Sequence, residues 1–167
     1  LLAMWVVMMA AMMLPSAAPA VLIHAAVSRQ FAQAREAFWR TPAFLAGYVL
    51  AWGGYSVAAA GLQVWLERAA LLSPTLADAS PLIGGLVVAA AGVYQLSPAK
   101  DACLRHCRAP LQFLAERWES GIAGALRMGL SHGAYCVGCC GLLMALLFVV
   151  GVLNLAWVAA VAIFVLL

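Results

Sequence analysis

SHGAYCVGCCGLLMALLFVV, residues 131–150, is one uninterrupted and largely apolar run. Its length matches the roughly 20 apolar residues that an α-helix needs to cross a bilayer. Yet it carries His132, Cys136, Cys139 and Cys140. Lipid offers nothing to an imidazole or a thiol, so these groups must face something else.

The rest of the chain has the same character. It is 67% hydrophobic and only 9% charged, where an ordinary soluble domain carries roughly 25% charged residues. So few charges cannot build a water-facing surface. The expected fold is all-α: a polytopic membrane helix bundle, a single domain over residues 1–167. About five transmembrane helices are read at 1–26, 43–66, 80–97, 130–150 and 153–167. Leu1 and Leu167 lie inside apolar runs without an initiator methionine, so both ends are expected to be truncations. The first run is too long for a signal peptide and lacks a basic leader, and it reads as a span.

Eight of the nine basic residues share one set of loops: Arg29, Arg35, Arg40, Lys100, Arg105, Arg108, Arg117 and Arg127, with Arg68 the exception. The positive-inside rule then makes 27–42 and 98–129 cytoplasmic loops. The charge balance of +3 is explained by topology and calls for no nucleic acid. Pro15 and Pro19 interrupt the first span, and their freed carbonyls must be met by neighbouring protein, which places that helix centrally. Span two is rich in small residues, among them Gly47, Gly53, Gly54 and Gly61, which permit close helix contact. Residues 67–81 read as a short outside loop. Ser97-Pro98 ends span three and starts a new helix, PAKDACLRHCR, with Ser97 as N-cap and a stop near Pro110. The mixed stretch after it suits a short interfacial helix region on the cytoplasmic side.

On a helical wheel His132, Cys136, Cys139 and Cys140 share a sector about 100° wide. Ala134, Gly138, Gly141 and Ala145 lie opposite, as a flat packing face. Cys103 and Cys107, one turn apart on the helix after Ser97, start at similar depth. All five cysteines fall between Cys103 and Cys140, a confinement that independent burial of small apolar residues does not explain. Thiolate and imidazole suit copper(I) or zinc. The leading ligand set is Cys103, Cys107, His132 and Cys136, with Cys139 and Cys140 competing for a place. Met4, Met8 and Met12 form a thioether face on the first span, also suited to copper(I) or simply to gap filling. Met8, Met12, His24 and His106 are secondary candidates.

Three blocks, MWVVMMAAMMLPSAAP, YQLSPAKDACLRHCRAP and GLSHGAYCVGCCGLLMALLFVVGVLNLAWVA, together resemble a bacterial family of predicted metal-binding integral membrane proteins, domain-of-unknown-function family 2182. The resemblance implies that Cys103, Cys107, His132, Cys136, Cys139 and Cys140, with the Met-rich segment Met12–Ser16, are its motif positions. Gly141 stands where that family often has tryptophan, which affects packing more than ligation.

No intramembrane carboxylate, phosphate-binding loop or Ser-His-Asp order is evident, so proton-coupled transport, nucleotide-driven work and hydrolysis are not supported. The leading expectation is a non-enzymatic metal handler of the bacterial inner membrane. Its partners would be the lipid bilayer and other membrane subunits or a metallochaperone. The alternatives are an accessory subunit of a larger membrane complex, and a thiol-disulfide oxidoreductase using Cys136 and Cys139.

Overall fold

The computed structural model describes residues 1–69, 81–150 and 154–166, and every regular element among them is a helix. The helices are α1 (Leu2–Phe31), α2 (Ala34–Arg68), α3 (Pro81–Gln95), α4 (Pro98–Arg108), α5 (Pro110–Glu116), α6 (Gly121–Ala145), α7 (Leu147–Val150) and α8 (Leu155–Leu166). Three stretches are long and apolar enough to cross a membrane: Leu2–Phe31, Ala34–Arg68 and Gly121–Val149. The stretches expected as spans at 80–97 and 153–167 hold the shorter α3 and α8. Most of the expected outside loop 67–81 lies outside the described residues.

One boundary differs from the sequence reading. Residues 27–42 are not a loop, because α1 runs to Phe31 and α2 starts at Ala34. Hydropathy falls there, but Gln, Ala, Arg and Glu are good helix formers, and polarity alone does not end a helix. The pair Arg40–Glu36, 2.8 Å apart at i, i+4 spacing, supports the first turns of α2. Within 98–129 the helix expected from Pro98 is α4, which ends at Arg108, and the stretch expected to hold an interfacial helix carries α5 and the first turns of α6. Pro15 and Pro19 sit inside a continuous α1, whose buried face includes Trp5, Met9, Met13, Ala17, His24 and Ser28. Of the three long helices α1 is nevertheless the least buried and α6 the most, so the central place expected of α1 from its prolines falls to α6.

Helices α1 and α2 are antiparallel. Trp5 Nε1 donates to Gln63 Oε1 (2.7 Å), the Tyr48 hydroxyl donates to the Met13 carbonyl (3.0 Å), and His24 stacks on Phe44. Helices α2 and α6 run parallel, since Phe44 meets Gly129, Tyr48 meets Gly133, and Tyr55 reaches Gly141. Their closest approach is made of missing side chains. A Cβ on Gly129 would overlap the Phe44 carbonyl, one on Gly47 would overlap that of Leu126, and one on Gly133 would lie 2.7 Å from the Ala51 methyl. Small residues four apart, Gly129 and Gly133, thus form the seam. Gly53, Gly54 and Gly61 face open space and take no part in it.

The seam yields a paired prediction. Gly129→Ala should destabilise the bundle by about 1–3 kcal/mol or more, the usual range for overpacking. Gly53→Ala, where a methyl meets nothing, should stay within about 0.5 kcal/mol of the parent. Thermal unfolding in mild detergent, followed by helical signal, would check both. Equal melting temperatures for the two variants would contradict the seam.

Candidate metal centre

The site forms where α4 lies along α6. Ser97 Oγ accepts a hydrogen bond from the Lys100 backbone N–H (3.3 Å), and Pro98 occupies the first turn, so α4 starts as a capped helix at the turn after α3. Just before that turn, the Tyr94 hydroxyl donates to the Gly138 carbonyl (2.6 Å) and fixes the end of α3 on α6. One turn into α4, Cys103 packs on Gly138, where a Cβ would come within 2.8 Å of its Sγ. The absent side chain is what lets α4 settle. Gly138 and Gly141 serve as the packing face expected of them, Gly138 receiving Cys103 of α4 and Gly141 receiving Tyr55 of α2.

This docking brings three sulfurs together. The Sγ atoms of Cys107, Cys136 and Cys139 all lie within 4.8 Å of one another, with Cys107 half-buried and the other two buried. Cys107 and Cys139 are 3.7 Å apart across the two helices, and Cys139 and Cys140 are 3.3 Å apart along α6. The Cys139 thiol also reaches the Cys136 carbonyl at 3.2 Å. All five cysteines are free. On α4, contacts with Cys136 and Cys139, reinforced by burial, push the Cys107 thiol above its ordinary range. Burial and then the nearby Cys139 do the same for Cys103. Both stand as neutral thiols.

The remaining candidates separate into three places. Cys103 and Cys140 flank the sulfur triad, Cys103 against Gly138 and Cys140 against Cys139. His132 sits one turn before Cys136 but is enclosed by rings, with Phe113, Tyr48 and Phe44 centroids at 5.3, 5.9 and 6.1 Å. His24 is buried between Phe44 and Trp118. His106 stacks flat on Tyr135 at 4.2 Å, and its Nδ1 lies 2.8 Å from the Ala102 carbonyl. That contact makes it a packing residue of α4.

The methionines of α1 join the same apolar cluster as the cysteines. Met9, Met12 and Met13 are buried in it, and Met4 and Met8 pack at its edge. Two participants gave no signal in the sequence. The Tyr48 hydroxyl lies 3.2 Å from Cys136 Sγ, and Met144 is a buried member of the cluster. An isolated aromatic or methionine in an apolar run reads as packing, and only its placement shows otherwise.

A soft-cation site of this kind has a simple geometric test. In a Cys103→Ser, Cys140→Ser background, a mild thiol oxidant should join Cys107 to Cys139, because their sulfurs need to close only from 3.7 Å to a bond of about 2.05 Å. Peptide mass mapping would detect the link between α4 and α6. Recovery of both cysteines unlinked would refute the apposition.

Comparison with known proteins gives one positive result. A model of the PpoB2 copper chaperones matches residues 2–167. No curated protein and no solved structure gives a significant match. The match runs nearly end to end, over the sulfur triad and the methionine-bearing helix alike: this chain belongs to the PpoB2 copper chaperone family.

Proposed function

We propose that this protein is a membrane-embedded copper chaperone that holds Cu(I) on Cys107, Cys136 and Cys139 and passes it to a partner. The observation that carries this reading is the convergence of three sulfurs within 4.8 Å, drawn from two different helices. Thiolates are the ligands Cu(I) prefers, and thioether is the next softest donor a protein offers. The triad sits in one apolar cluster with Met9, Met12, Met13 and Met144. Hard cations find no oxygen cage in such surroundings.

The arrangement also suits a carrier. Cys136 and Cys139 are buried on α6, while Cys107 is half-exposed on the short helix α4. An arriving or departing ion would meet Cys107 first, and the more buried pair would then complete or release its coordination. The outward positions of α4 include Arg105, which is exposed. A basic rim of this kind would lower the cost of the net negative charge that thiolates place around a monovalent ion. Embedding in the membrane through five helices, with α4 on the cytoplasmic side, is part of the proposal. It is supported by the three apolar helices long enough to span and the two shorter ones, and by the distribution of arginines.

Elemental analysis of the protein purified anaerobically in mild detergent tests the reading. The expected result is about one copper per chain. Affinity should fall by more than about 100-fold in a Cys107→Ser, Cys136→Ser, Cys139→Ser variant, and Cys103→Ser should keep the metal. Zinc instead of copper, or copper retained by the triple variant, would overturn the assignment.

A further inference from the structure

Helix α6 carries a second pattern that the sulfur triad does not use up. Every fourth residue from Met128 to Met144 is a soft-metal donor: Met128, His132, Cys136, Cys140, Met144. All five are between 0 and 8% exposed. At 1.5 Å per residue the row is about 24 Å long, close to the thickness of a bilayer's hydrocarbon core.

The two ends of this row meet different surroundings. Towards Met144 it enters the cluster lined by Met9, Met12 and Met13 of α1. Towards Met128 it passes beneath α5, where His132 and His24 both adjoin the Phe44 ring, at 6.1 and 4.7 Å. Met128 packs in the cluster with Phe44 and Phe113. Here hydrogen bonding fails. Both ring nitrogens of His24, which is 0% exposed, and Nδ1 of His132, which is 3% exposed, have no hydrogen-bond partner among the described residues. Ser28 Oγ, one turn beyond His24, has none either. Buried polar groups normally find a partner, and each one left without costs about 1–3 kcal/mol. Four such atoms along α1 and α6 at one end of a donor row need a reason.

We propose that this row is a conduction line for Cu(I), along which the ion moves between the methionine-lined interior, the thiol cluster and an imidazole station formed by His132 and His24. The inference rests on the copper-carrier reading above and extends it from holding the ion to moving it through the bundle. Each step is a ligand exchange with copper staying at +1. On leaving the triad, a Cu–S bond to Cys136 breaks while a Cu–N bond to His132 forms, and the freed thiolate takes back the proton it lost on binding. Adjacent donors on α6 are one turn, about 6 Å, apart, so a new ligand is within reach of the next step. The nitrogens without a partner, both of His24 and Nδ1 of His132, are the ones free to ligate a passing ion.

The test is copper flux in proteoliposomes. The full chain is reconstituted with a trapped Cu(I)-selective chromogenic chelator, and Cu(I) is added outside under reducing conditions. Flux should exceed that of protein-free vesicles by at least about tenfold. His132→Gln and Met128→Leu, near in size to the residues they replace, should each cut it about tenfold while equilibrium copper binding by the triad stays within about threefold. The Cys107–Cys139 cross-link reports that each variant is folded. Bound copper without flux in the unsubstituted chain overturns the conduction line and leaves the carrier reading intact, as does flux unchanged in both variants. No bound copper in the unsubstituted chain overturns both.

Discussion

The close crossing of α2 over α6 is the contact on which the rest of the structure depends. These helices are long and apolar enough to cross a membrane, a setting in which association draws on dispersion at short range and on hydrogen bonds. Gly47, Gly129 and Gly133 let the two backbones approach until any side chain at those positions would collide. That approach sets the depth to which Phe44 and Tyr48 reach. Tyr48 arrives beside Cys136, and Phe44 arrives between the helices that carry His24 and His132. A wider crossing would leave the thiols without their hydroxyl neighbour and the imidazoles without their aromatic wall.

Tyrosines then tie this pair together and fasten other helices to it. Tyr48 donates to Met13 of α1, Tyr55 of α2 to Gly141 of α6, and Tyr94 of α3 to Gly138 of α6. Each phenol uses its one donor on a backbone carbonyl of a different helix, which is what burial demands of a hydroxyl. Gly138 has a double role, since its carbonyl holds Tyr94 while its missing side chain admits Cys103. The sulfur cluster is therefore assembled by backbone features of α6. The cysteines supply the chemistry, and the glycines and tyrosines decide which of them meet.

Much of this was legible in the sequence, and the rest was not for identifiable reasons. Helical character, the long apolar stretches, and the capped helix beginning at Ser97-Pro98 follow from hydropathy and local capping chemistry, which act over a few residues. The gathering of the cysteines was foreseen from their confinement to one region, and the structure brings Cys107 and Cys136 together with Cys139. It sets His132 apart within an aromatic enclosure and Cys103 against a glycine. A helical wheel gives the direction of a side chain but not the depth at which a second helix docks. Helix α4 settles where Gly138 allows it, and that contact, rather than angle alone, puts Cys107 beside Cys139. The helical turns within 27–42, on either side of the break at residues 32–33, were missed because loss of apolar character was taken for loss of helix, two properties that different forces control.

The charge economy of the interior is consistent with a soft monovalent ion in particular. Among the described residues the buried charged side chain is Arg40, and it is neutralised by Glu36 on the same helix. The other donors around the site are thiols, thioethers and imidazoles, all of which are neutral when free. Carboxylates in such surroundings would have to be desolvated whether or not an ion was present, at a cost of several kcal/mol each. Thiols avoid that standing cost, because their charge appears only when the metal displaces the proton. A thioether or neutral imidazole never charges at all, so copper at such a donor carries only its own single positive charge. A divalent ion would need two negative charges to be neutralised at every position it occupied, and the methionine and histidine segments supply none. The same donor set that lets the protein fold with an uncharged core thus also suits an ion of low charge and high polarisability, as the proposed function requires.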